Sequence, residues 1–387
     1  MRITEVTTYI VGNPWKNWLF VRVDTDEGIS GVGEGTLNAF ARTVEAAIHE
    51  LRPRFIGLDP FQIETLLQRM TRDVYSEGGQ IHGAAVGAIE VACWDIIGKA
   101  LGQPIHNLIG GRYHERLRAY ANGWYRGERT PEAFAEAAAG VVARGYTALK
   151  FDPFGAAYRV MDRRDEDLSI AIVEAVRAAV GPAVDLMVEG HTRFSVASAL
   201  RVAERLAPSR PAWFEEPTPH LDIDAVVEVA RRSPVPVATG ESFSSTQQFA
   251  ELLARDAVHI LQPEPLHLGG IWRTRQVFGM ADARYAVVAP HSAEGPIATA
   301  VCVQLGAATP NFYVAEVFDD FNVGWERDLV THPIAVVDGY IPIPERPGLG
   351  LKLNLEELAR HPYQPRNFLP LFAPGWERRT GAEHEKP

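Results

Sequence analysis

Met187-Val188-Glu189-Gly190-His191, Trp213-Phe214-Glu215-Glu216-Pro217 and Ala238-Thr239-Gly240-Glu241 share one plan, a short apolar run that closes on a carboxylate near a turn. The plan continues in Gln262-Pro263-Glu264, Ala289-Pro290-His291 and Ala315-Glu316. From Glu189 through Glu215, Glu241, Glu264 and His291 to Glu316, the steps are 23 to 27 residues long. One strand–helix unit of a (β/α)₈ barrel takes about that many, and the whole fold takes about 250. Strand-like runs at 117–124, 146–151, 183–189, 211–215, 235–240, 258–262, 285–290 and 312–317 supply eight units. Helical periodicity at 132–144, 166–179, 222–232 and 245–255 separates them. A dinucleotide-binding sheet would need a Gly-rich phosphate loop after an early strand, and the sequence has none.

Outward from this core the texture changes. Residues 2–11, 18–24 and 29–34 read as strands, and helical periodicity runs from Phe40 to Arg72. A second, more apolar helix spans Ala84 to Leu101 and stops at Gly102 and Pro104. Strands followed by helices predict an α+β capping domain over residues 1–115, with a modified (β/α)₈ barrel over 116–335. Residues 336–387 are expected to leave the barrel and pack back toward the cap. Pro342, Pro344, Pro347, Gly348 and Gly350 make 338–353 loop-like, and the last dozen residues read as a frayed tail.

Composition narrows the partners. A hydrophobic fraction of 46% and a charged fraction of 22% over 387 residues suit a soluble, two-domain globular chain. A net charge of -11 argues against nucleic acid or an anionic membrane surface, and an anionic substrate would need a local cation. Cys93 and Cys302 have no metal-like spacing and fit a reduced protein with two buried thiols, a disulfide between them staying open. Met1-Arg2-Ile3-Thr4-Glu5 lacks the apolar run of a signal peptide, and no stretch is long enough to span a membrane. A cytoplasmic location is expected.

Catalytic groups of such barrels sit at the C-terminal ends of the strands. Three carboxylates converging there raise one another's pKa unless a cation joins them. A hard divalent metal with oxygen ligands resolves the conflict, and Mg²⁺ commonly takes a few carboxylates plus water and substrate. Glu189, Glu215 and Glu241 are therefore a candidate metal triad. Glu216 neighbours a ligand but should point the other way along its strand.

Nearly the whole chain resembles the mandelate-racemase subgroup of the enolase superfamily. The resemblance is carried by Ala88-Ile89-Glu90-Val91-Ala92-Cys93-Trp94-Asp95-Ile96-Ile97-Gly98-Lys99-Ala100-Leu101-Gly102 with Pro104 and Gly110-Gly111. Phe214-Glu215-Glu216-Pro217, Gly240-Glu241 and Leu268-Gly269-Gly270-Ile271 add to it. It implies a capping domain, a modified barrel and a Mg²⁺ ion on Glu189, Glu215 and Glu241, although the first ligand is more often Asp. Members of that superfamily pair a Lys or His base with Mg²⁺. By motif position the base is His291, oriented by Glu264, and Glu316 would hydrogen-bond the enediolate oxygen opposite the metal. Family members are commonly multimers, so a homo-oligomer is expected.

Two departures select among reactions. Racemases of this subgroup carry Lys-x-Lys at the second strand end, where this chain has Lys150-Phe151-Asp152. Lys150 could neutralise the substrate carboxylate, but Asp152 is a poor second base and reads better as a substrate contact. His191 lies two residues after Glu189, on the same strand face. A histidine there resembles the general acid of the galactonate-type sugar-acid dehydratases, its alternative role being to orient Glu189. The expected reaction is α-proton removal from an aldonate or aldarate and loss of the β-hydroxyl, giving a 2-keto-3-deoxy acid. The alternative is a cycloisomerase or epimerase/racemase acting on a sugar acid or lactone through the same enediolate. Candidate specificity residues are Lys16 and Asn17 in the Pro14–Trp18 loop, the 76–82 stretch, and Asn122 and Trp124 after the first barrel strand.

Overall fold

The computed structural model of the chain describes residues 1–379. The N-terminal unit is an antiparallel meander of β1 (Ile3–Gly12), β2 (Asn17–Thr25) and β3 (Ser30–Glu34). Helices α1 (Ala41–Phe55), α2 (Ile63–Met70) and α3 (Gly79–Leu101) cover it, and α4 (Ile105–Leu108) follows. Nearly all of α3 from Ala84 to Gly98 is buried, as a helix apolar on every side requires. Gly31 and Gly33 let β3 lie directly on α3, because a Cβ on either would run into the Ala92 or Ala88 carbonyl.

The barrel alternates β4 (Arg116–Ala121), α5 (Pro131–Ala143), β5 (Ala148–Phe151), α6 (Arg163–Val180), β6 (Asp185–Glu189) and α7 (Val196–Leu206). It continues with β7 (Trp213–Glu215), α8 (Ile223–Arg232), β8 (Val237–Thr239), α9 (Thr246–Ala254) and β9 (Ile260–Leu261). Helices α10 (Pro265–Leu268) and α11 (Ile271–Asp282), then β10 (Val287–Val288), α12 (Pro296–Ala307) and β11 (Ala315–Val317), complete it. The parallel strands run in the order β10-β9-β8-β7-β6-β5-β4-β11. Val288 closes the ring, donating to the Asn311 carbonyl (3.0 Å) and accepting from Tyr313 N (2.8 Å). All eight expected strand runs are therefore strands, each shorter than its apolar run because the flanking residues turn.

Two features differ from the sequence expectation. The eighth unit has no barrel helix among the described residues: between β11 and the next strand the chain makes only short 3₁₀ turns at Asp319–Phe321 and Gly324–Leu329. The stretch expected to be loop-like contains β12 (Tyr340–Pro342), paired antiparallel with the start of β4. The Asp338–Gly339 turn, with both residues at positive φ, reverses the chain there, and Pro342 ends the strand at its edge.

Cap and barrel are joined by buried carboxylates. Glu34, at the end of β3, accepts from Gly295 N (2.8 Å) and Ala298 N (3.1 Å) at the start of α12. Glu90, in α3, accepts from Ile271 N and Trp272 N (both 2.8 Å) at the start of α11. Each acid satisfies backbone donors that a helix start leaves over. After α13 (Leu355–Arg360) the chain returns to the cap, where Gly12 N donates to the His361 carbonyl (2.8 Å). Cys93 and Cys302 are free and buried. No helix among the described residues is long and apolar enough to cross a membrane.

Candidate active site

A buried layer of Tyr120, Ala148, Met187, Trp213, Ala238, Ala289 and Val314 fills the barrel interior. Side chains alternate along a strand, so the residue two further on points the same way one step nearer the mouth. That step leads from Tyr120 to Asn122, Ala148 to Lys150, Met187 to Glu189, Trp213 to Glu215, Ala289 to His291 and Val314 to Glu316. Glu189 and Glu215 are register partners on adjacent strands. Glu241 follows Gly240, whose φ of +131° turns the chain at the end of β8.

Glu189, Glu215 and Glu241 each bring a carboxylate oxygen within 4.8 Å of the others. Burial, together with Glu189, pushes the Glu215 carboxyl up to about 7. Burial also pushes Glu241 well up, against the pull of His291 and with the push of Glu189 and Glu215. Glu189 Oε2 is buried with no hydrogen-bond partner. A crowded set of hard anionic oxygens with one orphan fits a hard divalent cation. Glu264, His291 and Glu294 also lie close together. Their atoms are already engaged, Glu264 by His291 and Leu266 N, and Glu294 by Lys16.

Lys150 is the internal cation of this cluster. Its Nζ lies 2.5 Å from Glu215 Oε1, 2.9 Å from Glu316 Oε1 and 3.5 Å from Glu189 Oε2. Burial would lower its pKa, but Glu215 and Glu316 outweigh that and hold the ammonium charged. Glu316 also accepts from Asn122 Nδ2 (2.8 Å) and, through Oε2, from Ser292 N (2.8 Å). Although burial opposes ionisation, Lys150 brings Glu316 down to about 2. Glu316 therefore stands as an acceptor.

Two histidines face the mouth, each fixed at Nδ1 by a buried carboxylate. His291 Nδ1 lies 2.7 Å from Glu264 Oε2, and its Nε2 lies 3.7 Å from Glu241 Oε2. Burial works against protonation of His291, but Glu241, Glu316 and the hydrogen bond to Glu264 raise it to about 10. His191 Nδ1 lies 2.6 Å from Asp152 Oδ2, and its backbone N donates to Glu189 Oε1 at 2.7 Å. His191 and Thr192 take positive φ (46° and 57°), a strained turn that aims the ring into the mouth. Their strands, β6 and β10, are four apart in a ring of eight, so the two rings approach from opposite sides.

Both histidines, Lys150, Glu189 and Glu241 line one cavity of about 230 Å³, and Lys16, Gln80 and Asn122 line it too. A larger groove of about 700 Å³, between the cap strands and residues 331–355, is remote from these groups. Three expected substrate contacts do not line this cavity. Asn17 is buried, its amide given to Gln364 O (2.9 Å) because the returning C-terminal segment covers it. Trp124 is buried among aromatic rings and donates to Lys150 O (2.9 Å). Asp152 is fully buried and faces His191, Phe154 N and Arg193 rather than the cavity.

Several contributors escaped sequence reasoning. Arg193 is buried, pairs with Asp152 and donates to Gly190 O (2.9 Å), tying the His191 turn together. Glu216, pointing away from the mouth, accepts from Thr239 Oγ1 (2.5 Å) and Gly240 N (2.8 Å) and braces the turn before Glu241. The tail expected to fray is packed as far as it is described. Trp376 and Arg379 are 4% and 5% exposed, both line the cavity, and Trp376 meets the His191 ring edge-on at 6.1 Å. The remainder, 380–387, lies outside the described residues.

With this geometry in hand, the likeness to known proteins is informative. Residues 9–110 match the mandelate racemase/muconate lactonizing enzyme N-terminal domain, and residues 133–358 match the enolase C-terminal domain-like family. A D-galactonate dehydratase of Verminephrobacter eiseniae is 36% identical over 359 residues, 92% of each chain. A D-gluconate dehydratase of Thermoproteus tenax is 35% identical over 91% of this chain and 71% of its own. The structure of a mandelate racemase/muconate lactonizing enzyme from Jannaschia sp. CCS1 superposes with a TM-score of 0.89 at 33% identity, covering 94% of this chain and 98% of the other. The two domain matches and the identity to these relatives over nine-tenths of the chain place it in the mandelate racemase/muconate lactonizing enzyme family of the enolase superfamily.

Proposed function

We propose that the chain is a Mg²⁺-dependent acid-sugar dehydratase. The observation that carries this reading is the pair of opposed histidines, each backed by its own buried carboxylate over one small polar cavity. A cavity of about 230 Å³ is smaller than the ~300–1,000 Å³ of sites for drug-sized ligands, which suits a sugar acid. Relatives bearing dehydratase names at about 35% identity support the reaction class.

His291 in its neutral form, which a cation offsetting Glu241 would favour, takes the α-proton at Nε2, with Glu264 holding Nδ1 and favouring the imidazolium that results. Lys150 holds positive charge beside the carboxylate end of the substrate, where an enediolate gathers negative charge. Burial lowers the His191 pKa and Asp152 opposes that; in its protonated form His191 gives a proton from Nε2 to the departing β-hydroxyl, which leaves as water while the α–β double bond forms. The enol then tautomerises to a 2-keto-3-deoxy acid. Glu189, Glu215 and Glu241 would hold Mg²⁺, which when bound supplies further stabilisation of the developing charge. Racemisation or epimerisation would need a donor on the other face at the second strand end. Asp152 is buried and committed to Arg193 and His191, which counts against that outcome.

Incubation with Mg²⁺ and a panel of aldonic and aldaric acids tests the reading. A 2-keto-3-deoxy product from any member supports it. Epimerisation without loss of water would replace it.

A further inference from the structure

We propose that Arg379 is a specificity-determining residue that binds a second carboxylate of the substrate, so that the acid sugar is a dicarboxylate (an aldarate) rather than an aldonate. The proposal deepens the dehydratase reading and rests on it for the chain between the two carboxylates.

Arg379 is 5% exposed and lines the same cavity as His191, His291 and Lys150. Its guanidinium lies 5.0 to 5.1 Å from the centroids of the Phe318, Trp15 and Tyr125 rings. Among the described residues it makes no ion pair, and Nε has no hydrogen-bond partner. Its side chain makes a hydrogen bond with the Tyr125 hydroxyl and a long one from Nη1 to Gly123 O at 3.4 Å, neither of which neutralises its charge. The other cations of the cavity are committed, Lys16 to Glu294 and Lys150 to the carboxylate cluster. A second guanidinium, Arg126, lies 4.5 Å from the Trp15 centroid and adds positive charge, with no acid paired to it among the described residues. A buried charge without a counter-ion is costly, and a guanidinium presents a fork that matches a carboxylate.

Position supports the same ligand. Gly123 and Tyr125 follow β4, and Phe318 follows β11. In the ring of eight these two strands lie opposite β8 and β7, which carry Glu241 and Glu215. A substrate with one carboxylate at the acidic triad therefore extends across the mouth toward Arg379. Among the described residues no acid forms an ion pair with this guanidinium.

The test uses the full chain with Mg²⁺ and a matched pair of six-carbon sugar acids that differ only at C6, carboxylate against hydroxymethyl. Wild type is expected to favour the diacid by roughly 100-fold in kcat/KM, since a buried polar group left unpaired discriminates strongly. Arg379→Gln should erase that preference, mainly through KM, and Arg379→Lys should restore part of it. Calorimetric binding of adipate against hexanoate, neither of which has a hydroxyl to lose, is measured in parallel. Adipate should bind more tightly to wild type and lose that advantage in Arg379→Gln. Equal kcat/KM for the two sugar acids, or a diacid preference that survives in folded Arg379→Gln, overturns the proposal and leaves dehydration standing. Arg379-dependent adipate binding with no turnover of any sugar acid supports the anchor and removes the dehydratase reading. Should the Gln variant not fold, a wild type without diacid preference is enough to overturn it.

Discussion

Asp152 occupies the position where a two-base enzyme carries its second lysine, yet it never reaches the cavity. Arg193 and His191 enclose it, and Arg193 with the His191 hydrogen bond outweighs the effect of burial and holds its carboxyl below the ordinary range. Its chemical effect is therefore exerted through the His191 ring, whose Nδ1 it fixes. If His191 delivers the proton to the leaving hydroxyl, Asp152→Asn should slow formation of the keto acid about 10²–10⁴-fold, the usual worth of a general acid. Exchange of the α-proton should persist if that step is carried by His291, as proposed. Quenched assays of product and of deuterium uptake separate the two. The acidic triad makes a different prediction. Glu215→Gln removes a central oxygen donor and one Lys150 partner together, so activity should fall at least ~10³-fold and the Mg²⁺-dependent rise in Tm should shrink. Near-normal turnover would remove the metal triad from the account.

At the scale of elements, the mouth exists because cap, barrel and C-terminal segment are pinned to one another. Glu34 and Glu90 are cap residues that terminate barrel helices α12 and α11. Burial raises Glu34 to about 8 and Glu90 to about 7, in both cases against hydrogen bonds that favour the anion. Each therefore binds its proton more tightly folded than unfolded. The stability this contributes is full below the unfolded value of 4.5 and is lost as pH rises through the folded one. For Glu90 the shift corresponds to about 3 kcal/mol. Unfolding free energies from urea titrations at several pH values should show wild type losing ground to Glu90→Gln between about pH 4.5 and 7. A pH-independent difference would show that Glu90 titrates elsewhere. The tail is a third pin. Trp376 donates to Gly155 O (3.0 Å) and lies against His191, so Trp376→Ala should lower kcat about tenfold or more and also lower Tm, because a buried ring leaves a cavity.

For the whole molecule, the barrel was legible because period-two alternation and a regular 23–27-residue repeat survive in one dimension. The same alternation is why Glu189, Glu215, Lys150, His291 and Glu316 were found where they converge. What the sequence hid was the company each residue keeps. Nothing local marks Arg193 as the partner of Asp152, or Glu216 as the brace beneath Glu241. Trp376 and Arg379 lie some 185 residues from the His191 strand end and enter the cavity only because the chain returns over the cap. Asn17 and Trp124 sit in loops of the expected composition, and only packing shows that they are used up internally. The missing eighth helix and strand β12 were obscured for a related reason: short 3₁₀ turns and a three-residue strand carry too little periodicity to read.

The central claim is that abstraction and elimination are divided between His291 and His191. Proton NMR in D₂O, with Mg²⁺, a dehydrated sugar acid and the folded His191→Asn variant, tests it most directly. The account predicts deuterium at the α-carbon with formation of the keto acid reduced at least ~100-fold. Keto acid formed at the wild-type rate, or loss of α-exchange along with dehydration, would contradict that division of labour.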